Sequence, residues 1–282
     1  MDLVDRYGSW LVVAGASAGL GLRIAQEGAR RGFNVVLIAR RAELVEAMAG
    51  EISRDFGVQT RALPVNLADS GATAAIASAT SDIDVGAFVY NAAAEPVGGF
   101  LGLSVNKHSA AIAVNCTTPT SLVHHFGTLM RERARGSITL VTSIGAFFGS
   151  RLVSSYAATK AYQLNLAEGL WDELRPLGVD VQAFVVGATA TPNYFRPSPE
   201  ALSTQLESIE VDDMLATLVN RGAHPMDPAI VAERLFESLG LGPTVFASPI
   251  DERLIARFHA VQRSEPVRIQ GALIQRMLDR QG

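Results

Sequence analysis

Apolar positions fall into two alternating rhythms along this chain. Short runs of β-leaning, nearly continuous apolar residues occupy Trp10–Ala14, Asn34–Ala39, 62–65, Val85–Tyr90, 137–142, Val179–Val186 and 244–247. Between most of them lie stretches of helical spacing, such as Leu22, Ile24, Ala25 and Ala29, then Leu44, Val45, Met48 and Ile52. An alanine-rich helix is expected over 71–79 and a long one over 104–133. Another starts near Ser154 and stops at Pro176, and a last one is opened by Asp227-Pro228 and runs to Leu239. Strands with no polar face, each followed by a helix, predict an α/β fold: a doubly wound, mostly parallel, seven-stranded sheet with helices on both faces.

The same pattern predicts one domain over 1–282 with three parts. Residues 9–192 form the core, 193–225 a helical insertion, and 226–282 a helix, the last strand and a helical extension. Within the insertion, helices are expected over 200–209 and 212–219, with Tyr194, Phe195 and Met214 available to cover an apolar ligand as a lid. The alternative is an ordinary packed helical insertion. The tail carries Leu254, Ile255, Phe258 and Val261, then Ile269, Leu273, Met277 and Leu278, at helical spacing. These stripes predict buried faces, against the same subunit or another.

Composition narrows the classes of partner. Apolar residues make up 48% and charged residues 18%, which excludes a disordered or coiled-coil chain and suits a buried sheet. A net charge of -4 offers no basic field for nucleic acid or an anionic membrane, so small-molecule ligands are expected. Cys116 is the single cysteine, which rules out an internal disulfide and fits a reducing, cytoplasmic setting. The first residues, Met1-Asp2-Leu3-Val4-Asp5, are acidic where a signal peptide is basic, and no apolar run approaches ~18 residues. Neither a targeting segment nor a membrane span is expected. The adjacent His124 and His125 lack the i, i+4 spacing of a chelating pair, and no metal site is predicted.

Candidate chemistry gathers at the strand ends. The first strand runs into Gly15-Ala16-Ser17-Ala18-Gly19-Leu20-Gly21 and then a helix, the order a dinucleotide requires: glycines let the main chain approach a pyrophosphate, and the first helical N–H groups receive its charge. An ordinary tight turn is the other reading. The second strand ends at Arg40 and Arg41, where a ribose is read; a guanidinium there pairs with a 2′-phosphate and favours NADP over NAD, unless both arginines are simply solvated. Asn66 and Leu67 follow the third strand, and Asn91, Ala92 and Ala93 the fourth, where small residues leave room for a flat ring. Asn115 lies inside the long helix, where an amide competes for main-chain groups and needs a reason to be present. Ser143 ends the fifth strand, and Gly187, Thr189 and Thr191 follow the sixth. In the stretch Ser154 to Gln163, Tyr156 and Lys160 stand one helical turn apart. A cation near a phenol favours the phenolate, so this pair is a plausible proton-transfer device, although such spacing also arises by chance.

Taken together, the chain from about Ser9 to Pro192 resembles the short-chain dehydrogenase/reductase family. Gly15, Gly19 and Gly21 match its cofactor loop, Asn91-Ala92-Ala93 its Asn-Asn-Ala-Gly segment, and Tyr156 with Lys160 its Tyr-x-x-x-Lys signature. Asn115 and Ser143 fall where its other catalytic residues belong. The resemblance implies a Rossmann-type fold and an NADP(H)-dependent oxidoreductase interconverting a ketone and a secondary alcohol on a moderately large apolar molecule. It implies that Tyr156 exchanges a proton with the substrate oxygen and Ser143 bonds that oxygen. Lys160 lowers the Tyr156 pKa and holds the nicotinamide ribose, and Asn115 anchors a water leading to Lys160. Thr189 and Thr191 fix the carboxamide, and a homodimer or homotetramer is expected. Asn66 stands where the family commonly has Asp, and its amide oxygen can still accept from adenine. Ala18 stands where many NADP-dependent members carry a basic residue, which leaves Arg40 with most of the discrimination. The alternative function is a catalytically inactive NADP(H)-binding sensor of the same fold.

Overall fold

The computed structural model describes residues 2–192 and 224–278. The expected lid residues Tyr194, Phe195 and Met214, with both insertion helices, lie outside the described residues. Seven strands form one parallel sheet: β1 (Trp10–Ala14), β2 (Asn34–Ala39), β3 (Thr60–Pro64), β4 (Val85–Tyr90), β5 (Gly136–Ser143), β6 (Val179–Val186) and β7 (Thr244–Phe246). Their order across the sheet is β3-β2-β1-β4-β5-β6-β7. The chain therefore winds outward twice from the middle, and β1 and β4 are the neighbours where the winding reverses. In an open parallel sheet, that reversal leaves a crevice at the carboxyl ends of the strands.

Alternate residues of each strand feed two separate cores, which is why the strands read as unbroken apolar runs. On one face, Leu11, Val13, Val35 and Leu37 pack against α2 (Gly19–Arg30), α3 (Ala42–Phe56) and α8 (Pro228–Glu237). On the other, Val12, Ala14, Phe88 and Ile138 pack against α4 (Ala72–Ala79), α6 (Thr118–Glu132) and α7 (Ser154–Leu174). Fully burying each large aliphatic side chain contributes roughly 1.5–3 kcal/mol, so two such layers hold the sheet together, and its parallel strands present one common carboxyl edge. A short α1 (Leu3–Tyr7), not expected from the sequence, precedes β1.

Two differences from the predicted elements have physical causes, and one open alternative is decided. β3 lies two residues earlier at its start and ends at Pro64, a residue without an N–H that an edge strand tolerates. The helix predicted over 104–133 is interrupted: α5 (Val105–Ile112) passes through a π turn, Ala113–Thr117, before α6 begins. Pro119 has no N–H to give the carbonyl of Asn115 four residues earlier, so the α-helical ladder lapses there. The apolar tail is covered by its own chain: Leu254, Ile255 and Phe258 of α9 (Pro249–His259) bury against Phe148, with Ile269 and Leu273 of α10 (Ser264–Leu278) alongside. No helix among the described residues is long and apolar enough to cross a membrane.

Candidate active site

A cleft of about 1040 Å³ opens along the carboxyl edge of the sheet. Its lining contains Gly15, Ser17, Ala18, Gly19 and Leu20 from the glycine turn, Arg40 and Arg41 after β2, Asn66 and Leu67 after β3, Asn91 to Glu95 after β4, and Tyr156 and Thr191. Most predicted cofactor residues thus share one wall. Gly21, Lys160, Gly187 and Thr189 sit behind that lining and shape it. A Cβ on Gly21 would fall 1.9 Å from the Gly15 carbonyl oxygen, so no other residue lets the turn fold back on its helix. Gly187 abuts the buried carboxylate of Asp251, and the Thr189 hydroxyl donates to the Gly187 carbonyl at 3.1 Å.

The residues present fit a dinucleotide. Gly15 has φ +85°, and a Cβ there would meet the Ala92 backbone at 2.8 Å, so the main chains of the two loops approach as only glycine permits. Asn91 stitches the turn by donating its side-chain amide to the Gly15 carbonyl at 3.3 Å. Ala18 at the N-cap of α2 makes no side-chain capping bond, which leaves the first-turn N–H groups for a phosphate. Arg40 is exposed on the cleft wall after β2. Asn66 is partly engaged: its Nδ2 donates to Asp69 at 2.8 Å and its Oδ1 accepts from Ala68 N at 3.3 Å, leaving a second lone pair on that oxygen.

β5 ends at Ser143 beside the cleft, and α7 delivers Tyr156 to the cleft lining. Burial pushes the Tyr156 phenol above its ordinary range, the nearby Glu95 carboxylate adds to that, and the neighbouring Ser143 hydroxyl opposes both. This reverses the direction expected from the Tyr156 and Lys160 spacing. Desolvation of the phenolate outweighs the cation, whose Nζ lies 5.8 Å from the ring centroid and points elsewhere. The phenol therefore keeps its proton at neutral pH. Lys160 is buried, and its Nζ donates to the Val141 carbonyl at 2.8 Å and to Gln163 Oε1 at 2.9 Å. Burial pulls the Lys160 pKa down to about 8, while Glu95 and Cys116 push it back up.

Asn115 explains its own place in a helix. Its Oδ1 accepts from Ala94 N and its Nδ2 donates to Ala94 O, both at 2.8 Å, and Nδ2 also reaches Thr159 Oγ1 at 2.9 Å. The amide clamps the strand-end loop to the catalytic helix and aims the next residue, Glu95, at Tyr156. Glu95 is exposed as a residue, yet its carboxyl is desolvated inside the cleft; that desolvation raises its pKa and Lys160 opposes the rise. Gln163 Nε2 donates to the Asn115 carbonyl at 2.8 Å. Sequence reading gave Gln163 no role and Glu95 no charge role. The signals were present in Pro119 four residues after Asn115 and in a carboxamide one turn beyond Lys160.

Residues 9–198, well over half of the chain, match the family model described as short chain dehydrogenase, and the protein belongs to that family. The family binds nicotinamide cofactors and catalyses oxidoreduction. The chain is 29% identical over 277 residues to a 7beta-hydroxysteroid dehydrogenase of Clostridium sardiniense, covering 98% of this chain and 100% of the relative. A solved 7beta-hydroxysteroid dehydrogenase structure superposes with a TM-score of 0.84 at 27% identity, covering 96% of this chain and all of the other. A short-chain dehydrogenase from Sphingobium yanoikuyae in complex with NADPH superposes with a TM-score of 0.73 at 25% identity, covering 89% and 91% of the two chains.

Proposed function

We propose that the protein is an NADP(H)-dependent oxidoreductase that interconverts a ketone and a secondary alcohol on a steroid-sized apolar molecule, with the 7-oxo and 7β-hydroxy steroid pair as its first candidate. The observation that carries this reading is that Tyr156, with Ser143 beside it, lines the same cleft as the Gly15 turn. A bound nicotinamide supplies the hydride for reduction and receives it for oxidation. Gly15, Ser17, Leu20 and the N-terminus of α2 hold the phosphates, Arg40 takes the 2′-phosphate, and Asn66 and Leu67 take the adenine. The substrate carbonyl accepts from Ser143 and Tyr156, and the phenol's proton goes to the oxygen as the carbon becomes tetrahedral. Because burial keeps the phenol protonated, the resting site is set for reduction, whereas oxidation needs the phenolate.

The steroid assignment rests on what the relatives named above act on. Incubating the protein with a 7-oxo steroid and NADPH, and following nicotinamide absorbance, tests it. Turnover that yields the 7β-alcohol, with weaker turnover of a small ketone, is expected. Tight NADPH binding without turnover of either ketone would establish the sensor reading instead.

A further inference from the structure

We propose that Gln163 is a positioning residue of this site: its carboxamide spans the Lys160 ammonium and the Asn115 carbonyl and fixes where the cation points. The inference rests on the oxidoreductase reading for its kinetic consequence, though not for its physical one. Gln163 is fully buried, and both ends of its amide are used. The orientation of that amide follows from chemistry. An ammonium offers only donors, so the oxygen must face Lys160; a carbonyl offers only acceptors, so the nitrogen must face Asn115. The Asn115 carbonyl is open to this bond because Pro119 brings no N–H to it.

The consequence lies in the three N–H groups of Lys160. Gln163 Oε1 takes one and the Val141 carbonyl a second, so one remains for the phenol side of the site. The titratable groups facing Lys160 are Glu95 from the loop after β4, Cys116 from the π turn and Tyr156 from its own helix. Gln163 adds to these an acceptor without a charge and without a titratable proton. It therefore supports the protonated ammonium against burial while leaving its titration within the neutral range. Removing the acceptor should favour the neutral amine, and replacing it by a carboxylate should favour the cation.

Lys107, which is exposed, and Lys160 are the two lysines of the chain, so protein grown with ε-¹³C lysine gives two signals, one of them an internal reference. Titrated by NMR without substrate, Lys160 of the parent protein should show a midpoint near the value of about 8 that burial sets. Gln163→Met should lower that midpoint by about one to two pH units, and Gln163→Glu should raise it by a comparable amount. In turnover, the alkaline limb of the kcat profile should move with each midpoint while cofactor affinity changes little. An unchanged Lys160 midpoint in a folded variant overturns the proposal, and so does activity lost with no movement of the limb. If Gln163→Met does not fold, the near-isosteric Gln163→Glu still decides. Should the parent protein reduce no ketone, the oxidoreductase reading fails while the NMR titration still judges Gln163.

Discussion

The two edges of the sheet use the same kinds of side chain to opposite ends. At the amino edge, charges are paired off: Arg6 reaches Asp180 at 2.6 Å, Tyr7 donates to the same carboxylate at 2.7 Å, and Asp84 is met by Arg133 at 2.8 Å and Arg135 at 2.6 Å. At the carboxyl edge, Tyr156, Glu95 and Arg40 line an open cleft, and the groups behind them are held so that some capacity is left over. Lys160 keeps one donor in reserve and the first turn of α2 keeps its N–H groups. The comparison teaches that ionisable side chains mark chemistry where they line an open cleft with donors left over. At the amino edge they are matched charge against charge and hold the fold together, although Asp84 Oδ1 and Arg133 Nε lack a hydrogen-bond partner there.

That contrast can be broken by substitution at either edge. The largest effect is expected for Tyr156→Phe, which removes the proton donor and nothing else from the cleft. Turnover should fall by about 10²–10⁴-fold with NADPH binding, followed by fluorescence titration, preserved. Full activity in that variant would remove the acid–base role. Next comes Arg40→Asp, which exchanges the proposed 2′-phosphate partner for a carboxylate that would repel that phosphate. The ratio of kcat/KM for NADPH over NADH should drop by about tenfold to a hundredfold, since a hydrogen bond to a charged group is worth roughly 1.5–3 kcal/mol. An unchanged ratio would move cofactor choice to another residue. The smallest effect belongs to the amino edge. Asp84→Asn weakens two partly exposed ion pairs and should cost about 1–2 kcal/mol, a shift of a few degrees in Tm, with kcat untouched. A kcat that fell with the Tm would show the two edges to be coupled and not separate.

How much of this was legible beforehand depended on the range of the interaction. The strand, glycine turn and helix at residues 10–30, the arginine after β2 and the Tyr156–Lys160 spacing are local patterns, and each appears in the structure where its spacing places it. The interruption at Asn115 was only half legible: the residue was out of place in a helix, but its partner Ala94 stands 21 positions away in sequence. The direction of the Tyr156 shift could not be read at all. Spacing reports that a cation is near, whereas burial and the approach of Glu95 depend on how two loops and a helix pack.

By itself the sequence determined the alternation of strands and helices, the family, and which residue types stand at the carboxyl edge, because main-chain periodicity and turn chemistry act over a few neighbouring residues. Only the tertiary structure decided which of those groups are charged at rest and where they point. Desolvation and hydrogen-bond geometry are properties of residues brought together from distant segments, as Ala94, Asn115 and Gln163 are around Lys160.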